Sequence, residues 1–164
     1  MFWNFKVKID FTFQFTQARC FDENEIPNDE KPELDRWIIS ELNSLIDEVD
    51  NHYLNYEPTK SARAISKFVQ TYLSNWYVRL SRRRFWKGDY QQDKISAYQT
   101  LYTCMLTIAK LGSPIAPFYM DRLYQDLIAV TGKETHESIH LAHFPKADTS
   151  YVDKHLETKM ENAQ

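Results

Sequence analysis

Apolar residues recur three and four positions apart along most of this chain, the spacing of one buried helix face. The first such run spans about Glu33 to Tyr56, with Leu34, Ile38, Leu42, Leu45, Val49, Tyr53 and Tyr56 on the stripe. Pro32 or Glu33 opens it, since proline suits a first turn. Asp35, Glu41, Asp47, Glu48 and Asp50 lie mostly off that stripe. The second run spans about Lys60 to Trp86, with Thr59 as the expected N-cap and Ile65, Val69, Tyr72, Leu73, Trp76 and Leu80 inward. A helix of that length would be roughly 40 Å long. The third runs from about Asp93 to Leu111, and the fourth from near Pro117 to just before Gly132. Gly88, Gly112 and Gly132 each follow a helical stretch, where a left-handed residue can close the last turn. Four amphipathic helices on short connections predict an all-α antiparallel bundle.

The ends follow other patterns. Residues 138–145 carry Ile139, Leu141 and Phe144 in an order that predicts a short extended segment, and 150–162 predict a last, weaker helix. At the start, Phe5, Val7, Ile9, Phe11, Phe13 and Phe15 alternate with polar residues, the period of a strand. The expected organisation is a divergent N-terminal segment (1–31), a helical bundle (32–146) and a C-terminal helical tail (147–164).

Composition narrows the class. Apolar residues make up 43% and aromatics 15% of 164 residues, enough for one real core. No stretch is long and apolar enough for a membrane span, and the two cysteines, Cys20 and Cys104, predict no disulfide framework. A cytoplasmic protein without a membrane partner is expected. The net charge of −3 argues against a nucleic-acid binder only if charge is spread evenly, and phosphates respond to the local field.

Catalytic signatures are absent. The closest glycines are too far apart for a phosphate loop, and no Gly-x-Ser-x-Gly, Cys-x-x-Cys or His-Glu-x-x-His occurs. His140 and His143 would point to opposite faces of an extended segment, so no metal is expected. Cys104, mid-helix, reads as a packed thiol. No catalytic or cofactor-binding residue is expected in this chain.

One segment does carry chemistry. Five of the nine residues from Arg79 to Lys87 are basic, and aromatics flank them. Arginine's planar fork suits phosphate, and aromatic faces can stack unpaired bases. One or two cations in a last turn would serve the helix dipole alone; five repel one another and favour an anionic partner, with ion pairs inside the fold as the alternative. On a regular helical wheel Arg83 returns to the core stripe, where it would pair with an internal acid. Arg82 and Arg84 point away and are the better phosphate candidates.

The run 73–86, Leu-Ser-Asn-Trp-Tyr-Val-Arg-Leu-Ser-Arg-Arg-Arg-Phe-Trp, closely resembles the long anticodon-domain helix of the isoleucyl-tRNA synthetase family. Leu34 to Asn43, Lys60 to Ile65, Pro114 to Phe118 and Ser138 to Pro145 resemble further landmarks of that family, in order. The resemblance covers about residues 32–146; residues 1–31 depart from it. It implies the α-bundle anticodon-binding domain of class I synthetases, with tRNA, tRNA-Ile in particular, and the parent's catalytic domain as partners. Carried onto this sequence, it implies Asn75, Arg79, Arg82, Arg84 and Trp86 nearest the RNA or the neighbouring domain, joined by Lys87 from the basic run. Trp76 and Tyr72 are assigned to the core. Neither His-Ile-Gly-His nor Lys-Met-Ser-Lys-Ser occurs here, so ATP and magnesium would belong to a catalytic domain outside this sequence. The rival expectation is a helical protein-interaction module that no longer meets RNA, with Phe2 to Phe15 as its contact surface.

Overall fold

The computed structural model describes residues 24–86, 92–132 and 134–163. The alternating stretch at Phe5–Phe15, Cys20 and Lys87 lie outside them. Among the described residues there is no strand; the architecture is an α-helical bundle, as the periodicity predicts.

Helix α1 (Glu33–Leu54) is the central element. Trp37 through Asn43 are all buried, because neighbours cover α1 on several sides there rather than along one stripe. It ends in a Schellman closure: Glu57 N–H donates to the His52 carbonyl (2.8 Å) and Tyr56 N–H to that of Tyr53 (3.0 Å). The left-handed position usual for glycine is held by Tyr56 at φ 58°. Tyr56 therefore leaves the stripe it was expected to extend and stands 92% exposed.

A long rod follows. It comprises α2 (Pro58–Lys67), a π-helical segment (Phe68–Val78) and α3 (Arg82–Trp86), with helical dihedrals at both ends of the π segment. Pro58 opens the rod in its first turn, so Thr59 lies inside the helix and is not its cap. Proline's fixed φ and missing N–H start a helix without a side-chain acceptor.

Helix α4 (Gln92–Gly112) crosses the core with Ile95 through Tyr102 all buried. The connection 113–116 turns the chain into α5 (Pro117–Thr131), which ends on left-handed Gly132 with its N–H on the Ile128 carbonyl at 2.8 Å. At Gly112 a Cβ would lie 2.7 Å from Met120 Cε, so a side chain there would displace the end of that methionine.

Beyond α5, the segment expected to be extended folds as one 3-10 turn, Ile139–Leu141, with extended backbone at Ser138 and Ala142. Asp121 of α5 explains this. Its Oδ1 accepts from Ser138 Oγ (2.7 Å) and Ile139 N–H (2.9 Å), acceptor work that a strand partner would otherwise do. The last helix, α6 (Lys154–Glu161), is capped by Asp153 through Leu156 N–H and packs on α1 with Leu156 in the main core.

Candidate nucleic-acid interface

The rod's buried line is Ile65, Val69, Leu73, Tyr77, Ser81 and Phe85, each no more than 4% exposed. These residues are four apart. In a regular α-helix four residues overshoot a turn by about 40°, so such a line would wind off the core within a few turns. The π segment underwinds the backbone and keeps the line straight. Phases computed at the regular twist consequently run ahead of the real ones towards the rod's C-terminal end.

That lag decides which arginine goes inside. Arg84, expected to face solvent, turns inward, and Arg83, expected to pair inside, is exposed. Arg84 grips Asp35 of α1 with two parallel hydrogen bonds, Nη1 to Oδ1 at 2.6 Å and Nη2 to Oδ2 at 2.7 Å. Its Nη2 also reaches the Asp93 carbonyl oxygen (2.9 Å) and carboxylate (2.8 Å) at the start of α4. Asp35 is fully buried and receives Ser96 Oγ at 2.6 Å and the Tyr77 hydroxyl at 2.9 Å. Burial alone would lower the Arg84 pKa, but the hydrogen bonds and charge of Asp35 outweigh it and hold the guanidinium above its ordinary value. Burial, reinforced by Asp35, pushes the Tyr77 phenol well above its usual range, so it remains a donor. Arg84 is therefore a structural clamp joining α3, α1 and α4, and not a phosphate ligand.

The inward shift extends to the aromatics. Tyr77 fills the place expected of Trp76, while Trp76 is half-buried at the edge of the core and Leu80 is 52% exposed. Tyr72 also packs at that edge, its ring edge-on to Trp37 and Phe68.

Asn75, Arg79 and Arg83 lie two residues out of phase with the buried line, on the opposite, solvent-facing side, and all three are exposed. Arg82 is exposed on the flank. Arg79 and Arg83 make no ion pair among the described residues, so their charge projects into solvent. Trp86 closes α3; its side chain and Lys87 lie outside what is described. The sequence already held the signal for Arg83 in the four-residue spacing of Ile65, Val69, Leu73, Tyr77 and Phe85.

Among the described residues no group of three His, Cys, Asp or Glu is placed to hold a metal. Cys104 is buried and unbridged, and burial pushes its thiol pKa up, which suppresses the thiolate.

Comparison with known proteins converges on one family. The family model for the anticodon-binding domain of tRNA ligase matches residues 35–164. The chain is similar to the isoleucine–tRNA ligase of Bacteroides fragilis, with 60% identity over 144 residues, covering 88% of this chain and 13% of that protein. It is 62% identical to that of Porphyromonas gingivalis over 143 residues, covering 87% and 12%. Identity to the Dehalococcoides mccartyi ligase is 47% over 163 residues, covering 98% and 16%. The chain thus spans between about an eighth and a sixth of the length of these relatives.

Proposed function

Because this chain belongs to the family of anticodon-binding domains of tRNA ligases, we propose that it binds the anticodon stem and loop of tRNA-Ile, as part of or derived from an isoleucine–tRNA ligase. The observation that carries this reading is the cationic face at the end of the rod. Arg79 and Arg83 project from the side opposite the core, with Arg82 beside them and Asn75 in line.

The mechanism is recognition without bond making. Guanidinium groups neutralise phosphates and release counterions, while amide and aromatic groups meet loop bases. The clamp of Arg84 on Asp35 fixes the rotation of α3 and so the direction in which Arg79, Arg82 and Arg83 point. Aminoacylation with ATP and magnesium belongs to the catalytic domain of such a ligase, the second partner of this module. A cytoplasmic setting accords with that role, and no described helix is long and apolar enough to cross a membrane.

Titration of labelled tRNA-Ile at several salt concentrations tests the proposal. Affinity should fall with a log–log slope of roughly −0.7 to −0.9 per phosphate contact. Arg79→Ala and Arg83→Ala should each flatten the slope by about one contact while the circular dichroism is unchanged. Absence of binding at low salt, or binding indifferent to salt, overturns it.

A further inference from the structure

The C-terminal end of the chain is held on α1 mostly by polar atoms. Of residues 147–161, Leu156 is the one buried apolar side chain, with Ala147 and Met160 packed at the edge of the core. The other holds run to a short polar stripe of α1. Asn43 Oδ1 accepts the Asp148 N–H at 2.9 Å, and Ser40 Oγ accepts that of Asp153 at 2.8 Å. The hydroxyls of Ser40 and Ser44 donate to Glu157 Oε1 at 2.6 and 3.0 Å. Lys154 Nζ bridges Ser44 Oγ (2.9 Å) and Glu157 Oε2 (2.8 Å), and Lys159 pairs with Glu33 at the exposed far end. α6 has eight residues, and an isolated helix shorter than about 12–15 residues is marginal in water, so α6 holds its shape only while docked.

Glu157 is not the only acid in this joint. Glu41, next to Ser40 on α1, is a second buried carboxyl, and its Oε1 accepts from Trp37 Nε1. Glu157 and Glu161 of α6 both act on Glu41 as like charges, and Lys154 acts against them while engaged with Glu157 and Ser44. From the rod, Tyr72 packs edge-on to Trp37, with Lys67 5.6 Å from the Tyr72 ring centroid. The other acids of the segment serve local turns: Asp148 accepts from Ser150, and Asp153 from the Leu156 N–H. Arg36 and His155 stand exposed nearby in sequence.

The two buried acids respond to pH in opposite senses. Burial would raise Glu157, but Lys154, Ser40 and Ser44 hold it below its ordinary value, so its grip is present above the usual carboxylate range and lost as pH falls. Burial, then Glu157, lifts Glu41 to about 7. The closed joint therefore keeps a proton that an open one releases, and closure weakens as pH rises through 7.

We propose that residues 147–161 form a proton-controlled strap: with Glu41 protonated the strap lies closed on Ser40, Asn43 and Ser44, and loss of that proton lifts α6 from α1 while the rest of the bundle stays folded. The two carboxyls together confine tight closure to the interval between their titrations. Opening bares the three polar side chains of α1 and the socket of Leu156.

Amide hydrogen exchange of the 164-residue chain at pH 5.5 and 8, each at several sub-denaturing urea concentrations, tests the strap. Each rate is divided by the intrinsic rate of that amide at that pH. Amides of α6 should open by a route that low urea does not accelerate, because little surface is exposed, whereas those of Tyr98 to Leu101 in α4 should open by a urea-sensitive route. The α6 opening should increase by about tenfold from pH 5.5 to 8. Glu41→Gln keeps the shape of the side chain but cannot ionise, and should abolish that increase. Ser40→Ala/Ser44→Ala should open more readily at both pH values and keep the increase. Tryptic cleavage after Lys154 and Lys159 should follow the same order.

An α6 opening that rises with pH as much in Glu41→Gln as in the parent would overturn the proposal. So would an α6 rate that is the same at both pH values. Amides of α6 that share the urea dependence of α4 would also overturn it, since the segment would then open only with the whole bundle. No outcome here depends on tRNA binding.

Discussion

Helix α1 and the rod pack against each other and have opposite designs. Residues 33–54 carry a formal charge of −5, and residues 58–86 carry +7. In α1 the central residues are buried on several sides, and three of its four exposed acids, Asp47, Glu48 and Asp50, lie in its C-terminal half, with Glu33 at its start. In the rod burial is confined to one line and to Phe68 beside it, and Arg63, Lys67, Arg79 and Arg83 stand exposed on the side opposite that line. The backbones differ accordingly. α1 is a regular α-helix throughout, while the rod contains a π segment that holds a four-residue repeat on one face. Helical twist, usually treated as a constant, is here the variable that decides which side chains meet solvent. The core-facing residues set the twist, and the outward cations follow from it.

Matched deletions would expose this difference most sharply. Ser44 in α1 and Ser74 in the π segment are both half-buried. Removing Ser44 rotates everything after it by about 100° relative to α1's first half, taking Ile46 and Val49 off the core. That variant should show no cooperative thermal transition, and Ser44→Ala should restore one, so that loss of the hydroxyl bonded to Glu157 is not the cause. Removing Ser74 takes up slack that the π segment already holds. The shorter chain should remain folded with Arg84 still on Asp35, and its circular dichroism melt should stay close to the parent's. Equal damage from the two deletions would mean that the π segment is no reservoir of slack.

The contact that joins the two helices is the next strongest lever. Asp35→Ala leaves the Arg84 guanidinium 15% exposed with only Asp93 to meet its charge, and the loss should be about 3–5 kcal/mol in urea unfolding. Asp35→Ala combined with Arg84→Met removes both charges and should recover a large part of that loss. The recovered variant should still bind tRNA, with a salt slope close to the parent's, because Arg84 is not counted among the phosphate contacts. A slope that drops by a full contact would return Arg84 to the RNA face.

The helices, their order and the bundle could be read from sequence because apolar spacing reports burial directly. The spacing of Ile38, Leu42, Leu45 and Val49 points them inward on α1, and all four are buried there. The site was legible only in composition. The basic run was visible, but sorting Arg82, Arg83 and Arg84 required the twist of the preceding residues, and a wheel with fixed advance misplaced two of the three. Local signals also yielded to packing. Tyr56 has the hydrophobicity of a core residue, yet it takes the left-handed corner and faces solvent. Asp121 draws 138–142 into a turn where alternation suggested extension, through a contact between residues 17 positions apart.

A smaller effect separates the inner acids of α1 from its outer ones. Glu41 is 9% exposed and accepts from Trp37 Nε1 at 3.3 Å. Burial, then the nearby charge of Glu157, raises its pKa from 4.5 to about 7. Glu157 shows the reverse. Burial would raise it, but hydrogen bonds from Lys154, Ser40 and Ser44 outweigh that and hold it below the ordinary value. Between pH 4.5 and about 7 folded Glu41 binds protons that the unfolded chain releases. Its contribution to stability is therefore fully present below pH 4.5 and lost as pH rises through 7. Glu41→Gln removes that loss. The variant and the parent should differ little near pH 4.5, and at pH 8 the variant should be the more stable by on the order of 2–3 kcal/mol in urea unfolding. Glu48→Gln, on the exposed part of the same helix, should stay within about 0.5 kcal/mol at both pH values. A Glu41→Gln difference that does not grow with pH would place that carboxyl among the ordinary solvated acids of α1.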